Sequence, residues 1–129
     1  MISEIKHVSE LSSVNNHAPV VLLVSSTECG WCGVFEPVYE KIEETMGRYY
    51  NMFLVKAESV GGRSILRENF IRQFGKRYNG FPSVFIIDGR LKEIPMSVLW
   101  DETQQRYNEE AIIAFMNTHL SIRRRGLIS

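Results

Sequence analysis

The sequence has almost no cysteine, no surplus of charge and no long apolar run, and each shortage closes off a class of function. With 15 Lys and Arg against 15 Asp and Glu, the formal net charge is zero, so the balance points to neither nucleic acid nor a membrane surface. The longest apolar run, Val20–Val24, falls far short of the roughly 20 residues that span a bilayer as a helix. The opening MISEIKHVSELSS lacks a basic segment followed by an apolar one. It does not read as a signal peptide, and a cytoplasmic location is expected. No internal repeat, low-complexity tract or Pro/Gly/Ser-rich linker divides the 129 residues. One domain over residues 1–122 with a short basic tail at 123–129 is therefore expected, acting as a monomer.

Along the chain, EIKHV suits a short first strand, followed by a helix opened by Ser9 as N-cap and running towards Asn15. APVVLLVSS is a continuous apolar run that suits a central strand buried on both faces. Trp31, Phe35, Val38, Ile42 and Met46 then recur at helical spacing, with Pro37 inside the stripe as a kink and Gly47 as a stop. NMFLVKAE reads as another central strand and SVGG as a loop. Ile65, Leu66, Phe70, Ile71, Phe74 and Tyr78 again have helical spacing. An apolar run from Val84 to Ile87 closes on Asp88-Gly89, a hairpin signal. Ile94, Met96, Val98 and Trp100 alternate as a half-exposed edge strand, with Pro95 marking the edge. A last helix from about Asn108 to Leu120 buries Ile112, Phe115, Met116 and Leu120. The order β-α-β-α-β-α-β-β-α implies a three-layer α/β/α domain on a central mixed sheet, parallel where helices separate strands and antiparallel in the final hairpin.

The only two cysteines, Cys29 and Cys32, stand three apart in TECGWCGV. Two cysteines scattered at random in this length would do so in about one case in sixty-five. Cys29 falls between a buried strand and a helix, where free N–H groups and the helix dipole stabilise a thiolate. Cys32, within the first turn, is placed to resolve a mixed disulfide formed at Cys29. Gly30 reads as the residue that lets the chain turn into the helix. Half of a metal site is the rival reading, but no second pair exists, and His7, His17 and His119 have no paired spacing. Those histidines are expected at the surface or in caps, and no metal is expected.

Over nearly its whole length the chain resembles the thioredoxin superfamily. VVLLVSSTECGWCGVFEPVYEKI is similar to that family's strand, Cys-x-x-Cys and kinked helix, with Pro37 eight residues after Cys29. GFPSVFIIDGR is similar to the segment that holds the family's cis-proline, a position taken here by Pro82. The resemblance implies that Pro82 faces the disulfide and that Phe81 pairs through its backbone with an extended substrate. It also implies no cofactor beyond a redox-active Cys29–Cys32 disulfide. The motif departs from the WCGPC of thioredoxins proper: Glu28 stands first, Gly-Trp replaces Gly-Pro, and Leu23 replaces the aspartate six residues before the first cysteine. Proton transfer from Cys32 then needs Glu28, Glu36, Glu58 or water, with Glu28 first among them. Trp31 reads as an exposed contact to substrate or as part of the helix stripe.

The expected function is a thiol–disulfide oxidoreductase that reduces or exchanges protein disulfides, with an electron donor to be identified. The alternative is a binding module on the same fold, with vestigial or regulatory cysteines and partners docking at Trp31, Phe81 and Trp100. VGGRS lacks the glycine–lysine signature of a phosphate loop and reads as a flexible connection. IRRRGLIS reads as a solvated tail. SVLWDETQQRYN places aromatics beside charges; most of them read as covering the sheet edge, with bordering the substrate groove as the alternative for Trp100.

Overall fold

A computed structural model describes residues 2–6, 18–66 and 80–126, the side chains of residues 60, 61 and 65 excepted. The expected helix from Ser9, the histidines His7 and His17, and the helical stripe through Phe70, Ile71, Phe74 and Tyr78 lie outside the described residues. Five strands form the main sheet in the order β1-β3-β2-β4-β5: β1 (Ser3–Glu4), β2 (Val20–Ser25), β3 (Asn51–Lys56), β4 (Ser83–Ile87) and β5 (Leu91–Glu93). β2 lies at the centre, parallel to β3 and antiparallel to β4. Its residues Val21 to Val24 are fully buried, as the unbroken apolar run requires. Successive side chains of a strand point to opposite faces. Val21 and Leu23, with Val84 and Ile86 of β4, accordingly join one core, while Leu22, Val24 and Phe85 join the other.

The first core is covered by α1 (Gly30–Met46) and α4 (Glu109–Arg124). The face that α1 buries is Cys32, Phe35, Tyr39, Ile42 and Met46, a stripe displaced from the one read off the apolar residues. Trp31 is exposed instead. Tyr39 enters the interior because its hydroxyl lies 3.1 Å from the Val21 carbonyl and 2.8 Å from that of Phe53, joining β2 to β3. Burial holds that phenol well above its usual pKa. α4 is capped by Asn108, whose side chain accepts from the Ala111 N–H at 3.0 Å.

Several expectations are corrected. β4 is antiparallel to β2, although a helix was expected to make it parallel. β3 ends and β4 begins at the same end of the sheet, since Ser25 stands beside Lys56 and Val24 beside Ser83. The SVGG loop is instead the cap and start of α2 (Val60–Ile65), where the Ser59 hydroxyl accepts from the Gly62 N–H at 2.8 Å. A side chain at Gly62 would collide with the Lys56 carbonyl oxygen, so this glycine serves close approach rather than flexibility. The alternating run from Ile94 to Trp100 is not a strand. Pro95 caps a single helical turn, α3 (Met96–Leu99), and its carbonyl accepts from Val98 and Leu99 N–H. Trp100 then opens a separate two-stranded hairpin of β6 (Trp100–Asp101) and β7 (Arg106–Tyr107).

His119 is also corrected: it is buried, not a surface or capping residue. Its Nε2 lies 2.9 Å from Asp88 Oδ2, and Arg123 donates to the same oxygen from Nε at 3.0 Å. The Asp88-Gly89 hairpin turn thus also anchors α4, which runs to Arg124 and draws Arg123 out of the expected tail. Asp88→Ala would leave a buried imidazole and a guanidinium without their acceptor. A loss of about 2 kcal/mol in unfolding free energy is expected, read from urea denaturation.

Candidate functional site

β2 delivers the chain to the cysteines. Cys29 is the N-cap of α1 in extended conformation (φ −98°, ψ 109°), and its sulfur accepts from the Cys32 N–H at 3.1 Å. Cys29 and Cys32 are joined as a disulfide, with Cα atoms 5.3 Å apart. The two sulfurs are not equivalent. Cys29 is half-buried, whereas Cys32 is 0% exposed, so only the first is open to a large reactant. No acidic residue occupies the first turn of α1 to oppose a thiolate there. Around Gly30 there is open space where a Cβ would stand, so the turn into α1 does not depend on glycine.

The approach to Cys29 is braced from β3's side. The Thr27 N–H donates to Glu58 Oε1 at 2.8 Å, and this hydrogen bond holds the Glu58 carboxyl down to about 2. A depressed carboxyl stabilises the fold above its unfolded pKa, near 4.5, and the contribution is lost as pH falls through about 2. The Thr27 amide signal in an NMR titration is expected to follow that low midpoint; a midpoint near 4.5 would show that the brace does not form.

At the aspartate position of the resembling family, Leu23 is fully buried in the apolar core beneath α1. A carboxylate nevertheless reaches this end of the sheet from the helix. Glu36, one turn after Cys32, accepts from the buried Ser25 hydroxyl at 2.8 Å and from Lys56 Nζ at 2.9 Å. Ser25 and Lys56 are register partners at the ends of β2 and β3. Glu28, first on sequence grounds, is exposed; its own N–H donates to the Ser26 hydroxyl at 3.3 Å.

The Phe81–Pro82 peptide bond is cis. Pro82 immediately precedes β4, whose Ser83 pairs with Val24 near the cysteine end of β2. Gly80, at φ 115°, makes the turn into this segment, and the Ser83 hydroxyl donates to its carbonyl at 2.6 Å. Trp31 stands proud of α1 and packs edge-on against Trp100 at 5.2 Å and Tyr107 at 6.3 Å between ring centroids. Tyr107 continues inward to Phe35 at 4.7 Å. Between Trp31, the Phe81–Pro82 segment and the β6–β7 hairpin lies a groove of about 330 Å³, lined also by Met96, Glu102, Gln105 and Tyr107. These last four were not singled out from the sequence. For Glu102, Gln105 and Tyr107 the only signal is aromatics and charges mixed within SVLWDETQQRYN; Met96 stands in the alternating run that reads as an edge strand.

No family model and no curated protein matches the sequence. Solved structures do. A thioredoxin of Trypanosoma brucei brucei superposes with a TM-score of 0.65 at 14% identity, covering 94% of this chain and 92% of that one. The chain has the thioredoxin fold. Malassezia sympodialis thioredoxin superposes at 0.57 with 22% identity, covering 74% of this chain and 76% of that one. Thioredoxin O2 of Arabidopsis thaliana, in its oxidised state, superposes at 0.60 with 16% identity over 91% and 92%. On that thioredoxin fold, Cys29, Cys32, Trp31, Phe81 and Pro82 come to one end of the sheet, with Glu36 rather than Glu28 in the polar cluster below. Among the described residues, no group of three or more His, Cys, Asp or Glu is placed to hold a metal. Nor is any helix there long and apolar enough to cross a membrane.

Proposed function

We propose that the protein is a thiol–disulfide oxidoreductase acting on disulfides of other proteins. The observation that carries this reading is the disulfide's asymmetry: one half-open sulfur at a helix N-cap, bonded to one fully buried. In the reduced form, Cys29 thiolate attacks a substrate disulfide, and one substrate sulfur leaves as thiolate. Cys32, once deprotonated, attacks the Cys29 sulfur of the mixed disulfide. The second substrate sulfur leaves, and Cys29–Cys32 is restored as the disulfide. Two electrons pass to the substrate, and an external dithiol or a reductase resets the pair.

The reductive direction is adopted because the chain has two cysteines in all and none left for structural staples, which suits a reducing compartment. Glu36 is the proposed proton acceptor for Cys32, in place of Glu28. The groove along Trp31 and Phe81–Pro82 is proposed to hold the substrate segment.

The exposed aromatic groove also suits a pure binding module, in which the cysteines regulate docking. Insulin reduction with dithiothreitol as electron source separates the two. The oxidoreductase reading expects the protein to accelerate precipitation of the insulin B chain, and the Cys29→Ser/Cys32→Ser variant to fall to the dithiothreitol rate. Wild-type protein no faster than dithiothreitol alone would favour the module.

A further inference from the structure

The β6–β7 hairpin adds one buried side chain, Tyr107, to the core, with Trp100 packed against it, yet its tip is heavily braced. Asp101 Oδ1 accepts from the N–H groups of Thr103 and Gln104, each at 3.0 Å. Gln105 Nε2 donates to the Glu102 carbonyl at 2.8 Å, and Gln105 holds a left-handed φ of 53° that costs a non-glycine residue energy. Trp100 Nε1 donates to Glu102 Oε2 at 2.8 Å. The effect is to fix one indole and one carboxylate on the wall of the groove beside the disulfide.

The charge that the described residues bring to the groove is one-sided. Among the described residues, Glu102 is the groove's only ionic lining residue, set among the rings of Trp31, Trp100, Phe81 and Tyr107. The cations Lys41 and Arg106 line an adjoining hollow that shares Trp31, Trp100, Gln105 and Tyr107 with the groove, and there Glu109 and Glu110 accompany them. Aromatic faces attract cations, and a carboxylate whose one oxygen is held by an indole keeps the other for an incoming donor. A guanidinium satisfies both, since it stacks on rings and donates in a fixed fork.

We propose that this groove reads an arginine side chain in the substrate, within a few residues of the cysteine that Cys29 attacks. This rests on the oxidoreductase reading and specifies its substrate class. The test uses short peptides bearing one cysteine as a mixed disulfide with a chromogenic aryl thiol, with arginine, citrulline or glutamate two residues away. Dithiothreitol-reduced, desalted protein attacks the peptide sulfur, the old S–S bond breaks, and the aryl thiolate leaves and is read by absorbance. Cys32 then displaces the peptide thiol.

The arginine peptide is expected to react about tenfold faster than its neutral isostere citrulline. In Glu102→Gln that ratio is expected to fall below about threefold, with circular dichroism unchanged, while in Glu28→Gln it persists. Three results would overturn the inference: no preference for arginine, a preference that survives Glu102→Gln, or one lost in Glu28→Gln instead. Failure of all three peptides would remove the oxidoreductase reading itself, a different outcome from equal reaction with all three.

Discussion

Cys29→Ser is expected to retain its fold and to lose disulfide reduction by on the order of a thousandfold or more. A serine hydroxyl is not ionised near neutral pH, so the position would no longer present a nucleophile to an incoming disulfide. Cys32 cannot take over, because its side chain is fully buried beneath the first turn of α1. Cys32→Ser should behave differently. Its Cys29 remains at the N-cap and attacks, but no second sulfur releases the product, so a mixed disulfide with substrate accumulates. Non-reducing electrophoresis and mass spectrometry distinguish the two variants: a stable adduct with Cys32→Ser and none with Cys29→Ser. Equal adducts from both would mean that the inequality of the two sulfurs has no chemical consequence.

The second large effect is expected at Glu36. Leu23 supplies no carboxylate below the disulfide, and Glu36 reaches the end of β2 from α1, where Ser25 and Lys56 hold it. On the proposed reading this carboxylate, paired with Lys56 and one helical turn from Cys32, accepts that thiol's proton as it attacks. Glu36→Gln should slow release of the mixed disulfide by about 10- to 100-fold at neutral pH, with the initial attack by Cys29 much less affected. The defect has a direction in pH. At alkaline pH hydroxide can take the Cys32 proton without a carboxylate, so the variant should approach the wild-type rate there. Rapid-quench measurement of both steps at neutral and alkaline pH checks this. A deficit equal at every pH would mark Glu36 as a packing residue only, and an effect of Glu28→Gln in its place would return the role to Glu28.

The parts of the fold that could be read in the sequence are those where backbone pattern and burial agree. β2 is apolar at every interior position because both of its faces are covered, and the strand-to-helix junction at Cys29 follows directly. Asp88-Gly89 made the β4–β5 hairpin visible because Gly89 takes the left-handed φ that such a turn needs. The misreadings share a physical origin. Tyr39 through its hydroxyl and His119 through Nε2 find partners on neighbouring elements and are buried, so a stripe drawn through apolar residues passes over both. Ile94, Met96, Val98 and Trp100 alternate as a strand would, but Pro95 starts a helical turn. That turn leaves Met96 exposed and buries Leu99.

The site divides in the same way. Cys29, Cys32 and Trp31 share one short stretch of chain, and Pro82 is marked by its own sequence context. The remaining wall of the groove depends on how the hairpin folds back over Trp31, and the Glu36 cluster depends on the register of β2 against β3. Neither is a property of local sequence.

The central claim is that Cys29 is an attacking thiolate prepared by the α1 N-terminus and that Cys32 is a shielded partner. Alkylation of the reduced protein with iodoacetamide as a function of pH, with each site quantified by mass spectrometry, tests it most directly. The account predicts modification of Cys29 with an apparent pKa below about 7.5, and Cys32 unmodified at neutral pH while the fold is intact. A Cys29 that titrates at or above about 8.5, or a Cys32 that is alkylated first, would contradict it.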